Sequence, residues 1–375
     1  MSRNRVIYQS EALFAGPDKG TVADGVSGVH TSTNTKQIQR VQSCNYSFNV
    51  DRQDVNQFGE LASIDRVILS SPTVSLDFQY IVANLVNEKN LGFNMSTTAL
   101  GYVSAITGIL GKQTDERNYF IKTVAEGSDA LAVAIGTSGS PAQSVIGIGN
   151  AFITNYTAEG SVGGFPTASL TVEALNMNVD SSGNGFRLPT VNPTDGTTIS
   201  LTGVLPVVTQ NAGSDSVSAL RPGDVTITIV KTDSNGMPSD YVGASIADAK
   251  IQSYNIGLDL SRTPLEKLGS KFAFSREIDF PLDVSFGIEA NIGDLTTGNL
   301  ADLVNSDSNY DLTVDLKHPT TSTIQVRYHL KKAKLISQDF SSSIGDGKTV
   351  SLNWSAQVGG PNQTNVGFFL SGVSA

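Results

Sequence analysis

Four carboxylates crowd into one short stretch of this 375-residue chain: Asp51, Asp54, Glu60 and Asp65. Carboxylates so spaced can do two kinds of chemistry. A pair flanking a glycosidic bond performs acid and base catalysis, and a loop of alternating acidic side chains wraps a calcium ion. Other reactive residues are sparse. The three histidines, His30, His318 and His329, lie far from one another and from the single Cys44, so metal-ligand spacing is absent. GTSGS at 136–140 lacks the final glycine of a nucleophile elbow, and GIGNAF at 147–152 lacks the third glycine of a dinucleotide fingerprint.

The elements that would position the carboxylates occur twice. Residues 41–82 (VQSCNYSFNVDRQDVNQFGELASIDRVILSSPTVSLDFQYIV) reappear without a gap at 251–292 (IQSYNIGLDLSRTPLEKLGSKFAFSREIDFPLDVSFGIEANI). Gln42 falls on Gln252, Asn45 on Asn255, Arg52 on Arg262, Gly59 on Gly269, Arg66 on Arg276 and Val74 on Val284. The apolar phase matches too: Tyr46, Phe48 and Val50 fall on Ile256, Leu258 and Leu260, so corresponding strands bury corresponding faces. Downstream, Asn118-Tyr119 is echoed by Asn309-Tyr310, and 151–174 by 333–356. Three blocks in the same order describe an internal duplication. In the second copy the four carboxylates become Ser261, Pro264, Ser270 and Ser275. The cluster therefore reads as a solvated or intersubunit loop, and no enzyme, metal or cofactor is expected.

Charged residues make up only 16% of the chain, and Gly, Ser, Thr, Asn and Val abound, which is the composition of short strands joined by many turns. A net charge of −10 argues against a surface that grips phosphate. The one basic run, RYHLKKAK at 327–334, alternates and reads as a strand with Arg327, His329 and Lys331 in solvent. Cys44 forms no intrachain disulfide and reads as a small buried hydrophobe. The start, MSRNRVIYQS, lacks an apolar signal core, and the apolar run near 100–110 is far short of the roughly 20 residues of a membrane span. Synthesis in the cytoplasm, and no integral membrane segment, is the expectation.

In order, a strand at 4–14 opens copy one, a polar arm covers 15–37, and strands at 40–50 and 66–82 flank the connection 51–65. Val74, Leu76, Phe78, Tyr80 and Val82 share one face of that last strand, with Ser75, Asp77 and Gln79 on the other. Leu100, Val103, Ile106 and Leu110 predict a helix over 98–110, with a counterpart at 296–305 carrying Leu300 and Leu303. Strands near 117–124, 129–135, 144–154 and 167–179 complete copy one; strands at 224–231, 310–317, 323–336 and 348–358 serve copy two. The organisation is then 1–180, a linker or small insertion at 181–222 with a hairpin around 198–209, and 223–375. The fold class is all-β, a tandem pair of β-sandwich or barrel-like domains with one short helix each.

The run RVQSCNYSFNVDRQDVNQFGELASIDRVILSSPTVSLDF (40–78), with NYFIKTVAEGSDA (118–130), resembles the tail tube (major tail) proteins of tailed bacteriophages. The likeness is clearest over 1–180 and extends through the repeat to 224–375. It implies a β-sandwich with a flanking helix, the domain of six-domain rings that stack into a hollow tube for genome passage. It also implies the type in which one chain carries two tube domains and three chains form a pseudo-sixfold ring. On that resemblance Asp77, Gln79, Glu289 and Asn291 line the lumen, the same polar face pointing outward being the other possibility. Asp51, Asp54, Glu60, Asp65, Glu266 and Lys267 make contacts between rings or subunits. The partners implied are further copies of the chain, other tail proteins at the tube ends, and DNA passing without sequence-specific binding; the place is the virion tail. Alternatives are a tube initiator, a baseplate hub or a capsid decoration protein. A carbohydrate-binding β-sandwich is a different class, opposed by the single Trp354 and 7% aromatic residues.

Overall fold

The computed structural model describes residues 10–17, 35–96, 103–109, 116–125, 128–132, 143–181, 186–198, 202–208, 219–231, 250–292, 308–342, 347–360, 363 and 365–372. Nearly everything regular in them is strand. The first half contains β1 (Glu11–Pro17), β2 (Lys36–Gln37), β3 (Val41–Asn49), β4 (Arg52–Val55), β5 (Asp65–Ile68), β6 (Thr73–Ile81), α1 (Val86–Leu91), β7 (Arg117–Val124), β8 (Gln143–Ser161), β9 (Thr167–Ala174) and β10 (Asn176–Asp180). A short ribbon follows, β11 (Phe186–Arg187) with β12 (Thr202–Gly203). The second half contains β13 (Val225–Lys231), β14 (Lys250–Asp259), β15 (Arg262–Leu265), β16 (Ser275–Ile278), β17 (Asp283–Asn291), β18 (Tyr310–Lys317), β19 (Ile324–Ser341), β20 (Thr349–Gln357) and β21 (Gly367–Gly372).

Alternation decides what each strand buries. In β6, Val74, Leu76, Phe78 and Tyr80 are buried while Ser75, Asp77 and Gln79 stand on the opposite face. β9, β14, β17 and β20 follow the same rhythm, so one side of a wide sheet is apolar and the other is hydroxyl, amide and carboxylate. The sheet runs β3-β6-β9-β8-β14-β17-β20-β19, antiparallel throughout. Its apolar side covers one continuous core shared by both halves, in which Trp354 packs against Phe286 with ring centroids 5.8 Å apart.

β8 and β19 are too long to remain in that layer. The second half of each lies in the wide sheet, and the first half turns into a second layer, between β7 and β10 for β8 and between β18 and β21 for β19. The corner falls at Asn150 (φ 52°) and Lys332 (φ 56°), left-handed residues at matching places, each beside a ladder irregularity with the neighbouring strand. Each half is thus a two-layer sandwich folded around one bent strand. The succession of pairings in β3–β9 recurs in β14–β20, as the repeat in the sequence requires.

Several local expectations are corrected. The described helix of copy one is α1, upstream of 98–110, and the described residues of that range form a 3-10 turn at Ala105–Gly108. Ser96 and Ser104 bridge to Ser371 and Phe369 of β21, pairing that competes with helical bonding at those residues. Ile106 is buried as its spacing requires, but Val103 is exposed, and Leu100, Leu110 and the whole of 296–305 lie outside the described residues. So do 4–9 of the first strand and 18–34 of the arm. The described part of 129–135 is a 3-10 turn and not a strand. The connection 51–65 belongs to the β4–β5 hairpin, whose turn uses the left-handed Gly59 as the β15–β16 turn uses Gly269.

Residues 186–198 and 202–208 pack onto copy one: Phe186, Leu188 and Leu205 form a small core with Phe14, Phe120 and Val145. Asn150 anchors them, its Oδ1 accepting from Val191 N at 2.8 Å. The pairing is 186–187 with 202–203 in place of a hairpin at 198–209, because the apolar Phe186 and Leu188 find cover there. Cys44 is half-buried, and desolvation with Glu11 and Asp77 nearby pushes its thiol up to about 12. His329 and Arg327 are half-buried rather than solvated, since β21 covers them. His329 lies against Phe369, and Arg327 pairs with Asp315.

Candidate functional site

The wide sheet ends in two edges that pair with no other strand among the described residues: the outer edge of β3 and that of the second half of β19. What belongs on such edges is shown inside the chain, where β14 meets β8 in the register Ser253↔Ser161 through Ile256↔Ala158 to Asp259↔Asn155. Val162 N donates to Gln252 O at 2.9 Å and Leu260 N to Thr154 O at 2.8 Å, so even-numbered residues of β14 turn their backbone groups toward β8. β3 is the counterpart of β14, and the second half of β19 that of β8. Both junction strands are present at the chain's flanks, each without its complement.

Side-chain burial records the same vacancy. Ile256 and Leu258 of β14 are 0% exposed, whereas their counterparts Tyr46 and Phe48 of β3 are 36% and 63% exposed. Ala158 of β8 is buried, but its counterpart Phe340 is 42% exposed, and Ile336 beside it 67%. An alternating strand whose apolar face meets solvent at both ends of a sheet is an aggregation hazard unless a partner covers it. The repeat could have revealed this. Small Ala158 opposite Ile256 is exchanged for large Phe340 in the position that would face Tyr46.

The face opposite the core is acidic. Cross-strand register places Asp77, Glu159, Glu173, Asp259, Asp283, Glu289 and Asp339 on it, with Lys250 and Lys334 the ammonium groups among the described residues of these eight strands. Asp77, Gln79, Glu289 and Asn291 all stand there, on β6 and β17, with Asp77 and Glu289 exposed. Hydroxyl and amide groups of Ser, Thr and Asn fill the rows between them.

Asp51, Asp54, Glu60 and Asp65 ring the β4–β5 hairpin and are all exposed. Asp54 is held by Arg66, whose guanidinium keeps its carboxyl below the usual range. Glu266 and Lys267 sit at the turn of the β15–β16 hairpin, Glu266 accepting from Ser71 Oγ at 3.5 Å and Lys267 lying 5.6 Å from the Phe274 ring. The two hairpins differ in what supports them. β15–β16 rests on copy one and on the insertion packed against it: Arg262 stacks 4.6 Å over Phe152, Arg276 pairs with Glu173, and Phe272 N donates to Pro193 O of the insertion. Accordingly the Arg276 side chain is 5% exposed and that of its counterpart Arg66 is 66%.

One carboxylate lies deep inside. Glu88 of α1 accepts from Tyr80 Oη at 2.8 Å and Tyr156 Oη at 3.2 Å, and Tyr156 Oη lies 3.2 Å from Tyr328 Oη of copy two. Burial raises its pKa from 4.5 to about 7, against the lowering effect of those hydroxyls. Sequence reasoning missed it, because its partners come from strands far apart in the chain. No group of His, Cys, Asp or Glu suited to a metal occurs among the described residues. No helix in them is long and apolar enough to cross a membrane.

No protein-family model matches the sequence, and no curated protein matches it. A solved structure that matches is a chain of the anti-feeding prophage baseplate, determined by cryo-electron microscopy with sixfold symmetry imposed. The similarity has a TM-score of 0.26 at 12% identity, covering 40% of this chain and 94% of that one.

Proposed function

We propose that this chain is a structural virion protein, three copies of which close into a pseudo-sixfold ring that stacks with others into a tail tube for DNA. The β8–β14 junction carries the reading: it joins two like halves side by side, and the chain ends in one free edge of each kind that the junction uses. Edges that are complementary but not identical make head-to-tail contacts, which close into rings or run on as filaments. Three chains of two halves supply six positions, and closure leaves the wide sheet without an exposed edge. In the ring, the repeated offset pairs Tyr46 with Phe340 and Phe48 with Gln338.

The acidic face lines the channel, where it repels phosphates so that DNA slides without adhering. The hairpin tips Phe58, Leu61 and Leu268, all fully exposed, serve ring-to-ring contact. The protein acts by shape and charge, not as an enzyme.

Purified, concentrated protein viewed by negative-stain electron microscopy, with mass measured in solution, tests this directly. Rings or tubes with a central hole and three chains per ring are expected. Closed assemblies of another symmetry, or a strict monomer at every concentration, would refute the ring. The lining makes a separate prediction. A D77K/E289K variant should retain duplex DNA at low salt, with retention falling steeply as salt rises, while the wild type lets it pass in a filter-binding assay; equal behaviour would remove these residues from the channel wall.

A further inference from the structure

We infer, resting on the ring reading, that the end of β19 and the connection toward β20 of one chain seat in a hollow between β1 and β3 of the next, with Lys348 beside Glu11 and Ser342 against Cys44. The hollow, about 390 Å³, has Glu11, Leu13, Val41, Gln42, Ser43 and Cys44 in its wall. Each of these has a counterpart in copy two. Glu11 and Leu13 reach β8 through β7 as Val225 and Ile227 reach β19 through β18, at the offset that relates 151–174 to 333–356, and β3 matches β14. The counterparts Val225, Ile227, Ile251, Gln252, Ser253 and Tyr254 likewise wall a single cleft, but it holds only about 120 Å³. There the end of β8 and the turn to β9 close the other side, through Gly160, Val162 and Pro166. The hollow of copy one is the same cleft with that side missing.

The residues that meet across the cleft have changed as pairs. Within the chain Tyr254 lies opposite Gly160, and a Cβ on that glycine would come 2.6 Å from the tyrosine ring. Between chains the same register sets Cys44 opposite Ser342, so a small side chain stands where the glycine is lost. Within the chain Val225 and Pro166 border the cleft, both apolar. Their counterparts are Glu11 and Lys348, a carboxylate and an ammonium. Glu11 is half-buried, and burial raises its pKa, a cost that an arriving ammonium offsets. After burial, its charge is the next cause raising the pKa of Cys44 and of Tyr46, which places it beside the open edge of β3. Lys348 Nζ stands 5.2 Å from the Phe340 ring, and Phe340 is the residue due opposite Tyr46. The ammonium therefore arrives on the same edge as the ring. Size and charge exchanged in step give each joint its own fit: an edge carrying Ser342 would clash with Tyr254, so β14 accepts β8 and β3 accepts β19.

The chain has one cysteine, so S342C creates a specific pair with it. Opposed residues that exchange backbone bonds in antiparallel strands lie about 5.5 Å apart at Cα, within disulfide reach. Oxidised by copper–phenanthroline after assembly, S342C is expected to give disulfide-linked species up to the trimer. S341C, on the acidic face, is expected to remain unlinked. E11K and K348E are each expected to raise the concentration at which full-length protein assembles by about tenfold, read by sedimentation velocity at low salt. E11K/K348E is expected to return to within about threefold of wild type. Circular dichroism verifies that each variant is folded. Wild-type rings in which S342C forms no link to Cys44, or a combined charge variant no better than either parent, would overturn the docking and leave the ring standing. A wild type that never assembles would overturn both.

Discussion

Replacing Tyr46 with proline is expected to leave a folded chain that no longer assembles. The backbone N–H of Tyr46 corresponds to that of Ile256, which points toward β8, so in β3 it points away from β6 and outward from the sheet. Proline at that position removes one donor of the open edge without removing a β3–β6 bond, the setting in which sheets tolerate it. It also deletes the aromatic side chain that would meet Phe340. One lost hydrogen bond, an unpaired carbonyl and a lost aromatic contact together amount to roughly 3 kcal/mol, or about a hundredfold in affinity at each junction. Sedimentation of Y46P should show monomer where the wild type assembles, with a thermal midpoint within a few degrees of wild type. Assembly at wild-type concentration would show that β3 is not the edge used.

The second large effect concerns Glu88. A carboxyl held at about 7 in the folded chain and near 4.5 when unfolded binds more protons folded than unfolded between those values. Stability therefore falls as pH rises through that window, by about 3 kcal/mol once above it, and the penalty is absent below it. His329 works in the opposite direction. Desolvation lowers it from 6.5 to about 4, Lys331 and Arg327 adding to the fall while Asp311 and Asp315 oppose it, so its neutral form costs stability as pH drops below 6.5. E88Q isolates the first effect, because the His329 contribution is common to both proteins and cancels in their difference: denaturant titrations should show wild type losing roughly 2–3 kcal/mol relative to E88Q between pH 5 and pH 8. An unchanged difference between the two pH values would mean that the carboxylate is paired or hydrated when charged.

The all-β class and the strand phases were legible because period-2 alternation is local: Val74 to Tyr80 declare their buried face without reference to anything else. The duplication was legible for the same reason, written in matching phases at 41–82 and 251–292. The helix near 98–110 was misplaced because Ser96 and Ser104 bridge to β21, a neighbour more than 250 residues away in sequence, and Ile106 lies in a 3-10 turn. The division of 66–82 into β5 and β6 went unseen, as did the length of β8 and β19, since a strand that turns a corner keeps its apolar content on both sides. Of the proposed site, the acidic face could be read from Asp77 and Glu289, and the hairpin carboxylates from their crowding. The open edges were legible only by carrying the Ala158–Phe340 exchange through the repeat, a signal that needs the β8–β14 pairing to be known first. Tyr46 and Phe48 look like core residues until their counterparts Ile256 and Leu258 are seen covered and they are not.

The covalent link between the halves has a thermodynamic consequence. The β8–β14 junction forms when the chain folds, so in the ring proposed above every second junction is intramolecular and indifferent to dilution. Two encounters between molecules bring the six positions together, against five for six separate subunits, so less than half as much translational and rotational freedom is lost. Once two junctions between chains exist, the third joins ends already held close together, at an effective concentration far above that of the free protein. A fused pair of this kind assembles over a narrow concentration range and comes apart as whole chains, never as single domains.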